Sequence, residues 1–248
     1  MKRIICILIL TIIASCDSES TGDCFQKTGS IIQQEIIVDT FDKILVNRDI
    51  ELIIKEGAEQ KVIIETGENL LNDVEAIVID GKLTLTDNNS CNYVRDYGIT
   101  KVYVTSPNIT EIRSSTQYDV RSDGILTYPS LTILAEDFGV PDTFTNGNFR
   151  LQINNISFRV VFNNLSNCFI SGHTNNLNIT FAAGTSRFEG RDLIAQNVII
   201  WNRSSNDMIV NPQQSITGKI SGTGDVIAVN TPPIVEVEEQ YKGKLIFE

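Results

Sequence analysis

Basic residues are scarce in this chain. It has 20 lysines and arginines against 31 aspartates and glutamates, a net charge of −11 over 248 residues. No basic patch stands out, which argues against a nucleic-acid partner, because the phosphate backbone demands a positive surface. Histidine occurs once, as His173, and no Cys-x-x-Cys spacing exists. A usual zinc set therefore cannot be completed, and no metal or cofactor is expected. Prolines number only six. No apolar run reaches the ~20 residues needed to span a bilayer as a helix. Isoleucine, valine, threonine and asparagine crowd the middle of the chain instead, which favours strands and turns.

The longest apolar run is Ile4 to Ile13, preceded by Lys2 and Arg3 and followed by Ala14, Ser15 and Cys16. A charged start, a short apolar core and small residues form an export signal. Ile13-Ala14-Ser15-Cys16 resembles the bacterial lipobox, whose cysteine is lipidated after cleavage. Residues 1–15 then read as a signal peptide and Cys16 as the membrane anchor, two or more acyl chains holding stably where one does not. Cleavage would remove Lys2 and Arg3 and leave 18 basic against 31 acidic residues, a net of −13. Asp17, Ser18, Glu19 and Asp23 begin an acidic, polar tether over 16–34. Acids after the cysteine resemble a surface-export signal in some Gram-negative lineages; an aspartate beside it resembles inner-membrane retention in others. The outer membrane, and its outer face, is the expected address.

The second half of the chain carries a ladder. Turn segments starting at Asn164, Ala183, Arg203 and Ser221 follow one another at intervals of 19, 20 and 18 residues. Leu177–Phe181, Val198–Trp201 and Ile216–Ile220 are β-rich runs ahead of the last three. A strand-turn-strand unit of ~20 residues implies a β-solenoid, a parallel β-helix-like coil taken as right-handed. Phe169, Phe188, Met208 and Val226 form the expected inward file. Leu131 and Leu151, 20 residues apart, are expected to start earlier rungs. The asparagines, among them Asn154, Asn155, Asn175, Asn176 and Asn178, read as turn residues bonded along the stack.

Upstream, strands begin near Glu35. Ile50, Leu52 and Ile54 alternate with polar neighbours, and Asp80-Gly81 joins Ile77–Ile79 to Leu83–Thr86 as a hairpin. Phe41-Asp42-Lys43-Ile44, Lys61–Glu65, Glu68–Leu71, Asp80–Leu85, Val102-Tyr103-Val104 and Gly222-Thr223-Gly224-Asp225-Val226 together resemble the GIN-domain family, assigned as the head of auto-transporter adhesins. The resemblance runs from about Phe41 to Pro233. It implies a β-helix-like solenoid on an exported, often lipidated bacterial protein, and brings no catalytic residues with it. The fold class expected is all-β, with a single solenoid domain over 35–233, hairpin-rich at its start, and capping strands over 234–248.

Two irregular insertions, 88–98 and 135–147, are the expected ligand-binding places, because loops on a rigid frame carry most binding. The first offers Tyr93 and Tyr97. The second offers Glu136, Asp137 and Asp142, three carboxylates that could also hold calcium or form a solvated acidic loop. Tyr93, Tyr97, Tyr118 and Tyr128 would make a carbohydrate platform if they cluster. Cys24, Cys91 and Cys168 allow one disulfide in an exported protein, and the sequence leaves the pair open; we favour Cys24 with Cys91, which would pin the tether to the domain. The function expected is a surface-anchored, non-enzymatic binding or adhesion module for a glycan or protein. The alternatives are a polysaccharide-processing enzyme using Glu136, Asp137, Asp142, Arg187, Asp207 and Asp225, or a purely structural envelope protein.

Overall fold

The computed structural model describes residues 23–248 except Ser90, Gly139 and Asp142. The signal, Cys16 and Asp142 thus lie outside the described residues. Within them the chain is all-β, broken only by single 3-10 turns at Asp23–Phe25 and Leu71–Asp73. The strands are β1 (Ile31–Ile36), β2 (Lys43–Val46), β3 (Glu51–Glu56), β4 (Lys61–Gly67), β5 (Val74–Ile79), β6 (Lys82–Asp87), β7 (Lys101–Ser106), β8 (Glu111–Ser114), β9 (Val120–Leu126) and β10 (Ser130–Ala135). The long strands β11 (Phe149–Phe162), β12 (Asn167–Phe181), β13 (Arg187–Asn202) and β14 (Met208–Ile220) follow, then β15 (Val226–Ala228), β16 (Ile234–Glu239) and β17 (Leu245–Phe247). All belong to one connected 17-stranded sheet.

Two flanks share that sheet. On the first, β6, β2, β8, β10 and the second halves of β11–β14 run parallel, ending on β16. On the second, β7, β3, β9 and the first halves of β11–β14 do the same, ending on β15 and β17. The long strands cross from one flank to the other through bends marked by register shifts. Gly172, at one bend, sits at φ +110, and a Cβ there would meet the Ile153 carbonyl oxygen at 2.0 Å. Only glycine suits such a position.

Register turns the sequence into files of buried side chains. Leu83, Ile44, Ile112, Ile133, Val160, Ile179 and Ile200 stack on the first flank, all at most 2% exposed. Val102, Leu52, Val120, Phe149, Cys168, Phe188, Met208 and Val226 stack on the second, all fully buried. This corrects the inward file by one residue. Cys168 occupies the place expected of Phe169, which turns outward beneath the Arg150 guanidinium, 4.2 Å from its ring centre. Burial pushes the Cys168 thiol well up from its ordinary range, so it stays protonated.

Other expectations change as well. Leu131 lies beside Phe158, 27 residues on, while Leu151 lies beside Ile170 on the other flank. The insertion after β10 lengthens that rung. β1 begins at Ile31, inside the stretch expected as tether, and pairs antiparallel with β4. The start of the domain is less rich in hairpins than expected. Asp80-Gly81 does close the β5–β6 hairpin, both residues at positive φ, but β4 pairs with β1 and β7 rather than with β3. The β2–β3 rung, first in the chain, is sandwiched between β6–β7 and β8–β9. Cys24 and Cys91 are joined by a disulfide across a separation of 67 residues.

Candidate functional site

Between the two flanks, each rung turns a corner, and the corners stack along one edge. Asn47 N–H donates to Leu85 O (3.0 Å), Ser115 N–H to Val46 O (2.7 Å), Phe144 N–H to Ser115 Oγ (3.0 Å), and Leu165 N–H to Thr145 O (2.9 Å). Thr185 N–H then donates to Asn164 O (2.7 Å) and Ser205 N–H to Gly184 O (3.0 Å). Both irregular insertions enter this column, the first beside Asn47–Asp49 and the second between Ser115 and Leu165.

Three adjoining hollows result. The first, small, is lined by Asp49, Asp87, Asn92, Tyr97 and Gly98 among others. The second, of about 440 Å³, is lined by Asn47, Arg48, Asp49, Thr86, Asp87, Asn88 and Ser115. The third, of about 540 Å³, lies between Arg48, Thr143, Phe144, Thr145, Asn146, Asn164 and Leu165. Asp49 is common to the first two and Arg48 to the last two, so they form one broken groove.

Local bonds fix its walls. Asp49 holds a left-handed backbone, φ +67, secured by Gln117, whose Oε1 accepts from Asp49 N–H (3.2 Å) and whose Nε2 donates to Asp49 Oδ1 (2.6 Å). Aspartate tolerates this backbone, as Asp80 does at the β5–β6 turn, and here Gln117 fixes it. Asp87 accepts from Asn89 and Thr100. Arg48 lies 4.6 Å from the centre of the half-exposed Phe144 ring, a cation–π contact. Tyr118 stands against Gly98; burial raises its hydroxyl's pKa, and the charges of Asp49 and Tyr97 add to the rise.

The residues singled out from sequence divide. Tyr97, 76% exposed, stands at the rim of the first hollow. Tyr93, 74% exposed, packs instead on Phe25, ring centres 5.7 Å apart. Tyr128 is buried, its hydroxyl donating to Ser106 O at 3.2 Å, so the four tyrosines do not form one platform. Glu136 is paired with Arg113 at 2.7 Å, and Asp137 accepts from Asn163 Nδ2 at 2.6 Å. These two carboxylates brace the base of the insertion. Among the described residues no cluster of three or more metal-binding side chains occurs.

Arg187, Asp207 and Asp225 do share a column, but it serves the ladder. Arg187 pairs with Glu189 and Asp207. Asp207 Oδ1 accepts from Asp225 N–H (3.2 Å), and Asp225 Oδ1 from Lys244 N–H (2.8 Å). At the opposite corner Asn197 Nδ2 donates to Asn176 Oδ1 (3.4 Å) and Ser215 Oγ to Asn197 Oδ1 (3.0 Å). But Asn154, Asn155, Asn175, Asn176 and Asn178 lie within β11 and β12 rather than in turns, and Asn155 is buried with neither side-chain amide atom hydrogen-bonded. Sequence reading missed Asn47, Arg48, Asp49, Ser115 and Phe144. Phe144 does lie in the 135–147 insertion expected to bind, and for the others the signal was Asn47-Arg48-Asp49, a polar turn inside an otherwise β-rich stretch.

An all-β frame whose corners, not its strand faces, carry the irregular chemistry defines the class. The family model described as "putative auto-transporter adhesin, head GIN domain" matches residues 40–232, and the chain belongs to that family. A crystal structure of a putative adhesin from Bacteroides fragilis NCTC 9343 is similar, with TM-score 0.78 and 18% identity over 90% of this chain and 99% of that one. A putative lipid binding protein from Parabacteroides distasonis ATCC 8503 aligns at TM-score 0.61 and 14% identity, over 89% and 98%. A putative adhesin from Parabacteroides merdae ATCC 43184 aligns at TM-score 0.55 and 16% identity, also over 89% and 98%. These likenesses show a shared fold. No curated protein matches the chain in sequence.

Proposed function

We propose that this chain is a non-enzymatic surface adhesion module: a β-solenoid, anchored to the outer membrane through lipidated Cys16, that holds a glycan along its corner groove. The observation that carries the reading is the convergence of the two insertions on Arg48. Asparagine, threonine and aspartate groups line a surface with one aromatic plate, Phe144, and one apolar neighbour, Leu165. Paired amides and hydroxyls suit sugar hydroxyls, and an aromatic face suits the apolar side of a pyranose ring. The polar lining favours sugar over a lipid tail, whose binding needs a mainly apolar pocket. The parallel register, with rungs of about 20 residues, supports the solenoid.

A glycan array probed with the lipid-free domain tests the reading. Arg48→Ala and Phe144→Ala are each expected to weaken the best array ligand at least ten-fold, about 1.4 kcal/mol, while leaving the thermal midpoint nearly unchanged. Unaltered affinity in both variants sinks the groove assignment. The address is tested apart from it: labelled palmitate is expected in the wild type and absent from Cys16→Ala, and protease added to intact cells is expected to remove the domain. Equal labelling of both forms would reject the anchor.

A further inference from the structure

The two ends of the ladder are finished differently. At the start, β1, β4 and β5 lie antiparallel against the outer strands, and Leu70 and Val74 are buried there. At the other end, β16 and β17 pair only inward, with β14 and β15. Among the described residues no strand meets their outer edges. Val235, Val237, Leu245 and Phe247 continue the buried files of Ile216, Gly218, Val226 and Ala228, yet Val235 is 43% and Phe247 39% exposed.

The direction of the free backbone groups follows from the ladder. In a parallel pair, a residue turns its N–H and C=O to the same neighbour, and the next residue turns both the other way. Gln240 N–H donates to Ile220 O, inward. Glu236 and Glu238 therefore share that direction, and Val235, Val237 and Glu239 present their backbone groups to the outside. An open edge of this kind is a template for another strand. Its side chains choose the strand. Glu236 and Glu238 stand exposed on the outer face of β16. A second copy laid antiparallel with Val235 against Val237 would bring Glu236 against its own counterpart, and like charges opposite one another are unfavourable. A basic strand meets them with opposite charge.

We propose that the β16–β17 end is a second interaction surface, independent of the groove, which accepts an extended segment of another protein carrying lysine or arginine alternating with β-branched apolar residues. The apolar side chains cover Val235 and Val237, the basic ones face Glu236 and Glu238, and the segment becomes one further rung.

The test uses the lipid-free domain and a seven-residue alternating Lys-Val peptide, with a Glu-Val peptide and a Lys-Val peptide interrupted by proline as comparisons. The Lys-Val peptide is expected to bind at least ten-fold more tightly than either. Val237→Pro removes an outward N–H while sparing the β14 side, and is expected to abolish binding with the β-type circular dichroism retained. The double change Glu236→Lys, Glu238→Lys leaves the backbone alone, and is expected to lower affinity at least ten-fold. Equal binding of the proline-interrupted peptide would show mere charge attraction and overturn the proposal. So would undiminished binding to the Glu236→Lys, Glu238→Lys form, or a concentration-dependent dimer abolished by Val237→Pro.

Discussion

Replacing Phe162 with alanine is expected to lower the unfolding free energy by about 3–5 kcal/mol. Phe162 is fully buried between Phe149 and Phe181, with ring centres 5.4 and 5.7 Å away. Phe149 and Phe162 end the same long strand, one on each flank. The lost ring would leave a cavity where the flanks meet, and neighbours fixed by parallel pairing on both sides could not collapse into it. Phe162 lies in register between Ala135 of β10 and Phe181 of β12, so its loss weakens packing against both neighbouring strands. Phe138→Ala is the matched control. Its side chain is 94% exposed, and a change within about 0.5 kcal/mol is expected. Urea unfolding followed by circular dichroism measures both; similar losses would contradict the packing account.

Opening the Cys24–Cys91 bridge is the second large expected effect. A loop of about this length, 67 residues of separation, corresponds to about 4 kcal/mol of denatured-state restriction in the chain-entropy view. The bridge is supported by Tyr93 N–H donating to Cys24 O (2.9 Å) and by Arg95 donating to Gln26 O (3.2 Å). Cys24→Ser with Cys91→Ser is therefore expected to destabilise the domain by up to that amount, and reductant is expected to bring the wild type to the same midpoint. The loss should also reach the groove, because Asn92, Arg95 and Tyr97 line its first hollow. A lower urea midpoint with weaker array-ligand binding fits. An unmoved midpoint would show that the bridge restrains nothing.

How far the sequence foretells these features depends on the range of the interaction. The second half was legible because each turn repeats within about 20 residues, and stacked turns need the same small and polar types. Its inward file slipped by one position, from Cys168 to Phe169, because two apolar neighbours occur where the alternation allows one, and parity alone decides the face. Cys24, Cys91 and Cys168 can pair in more than one way, so the sequence could favour Cys24 with Cys91 without excluding the other pairs. The β2–β3 rung was out of reach. Its neighbours in space, β6–β7 and β8–β9, are out of chain order, and local periodicity carries no record of which rung lies next to which. The groove was half legible: both insertions stand out as irregular, while Arg48 sits in a turn that looks ordinary until Phe144 is placed beside it.

The measurement that bears most directly on the central claim is amide chemical-shift mapping of the lipid-free domain with its strongest glycan-array ligand. The shifts are expected to concentrate at residues 47–49, 88, 115, 143–146 and 164–165, along the corner edge, and to vanish in Arg48→Ala. Shifts confined to the outward strand faces, or to β16 and β17, would contradict the groove as the carbohydrate site.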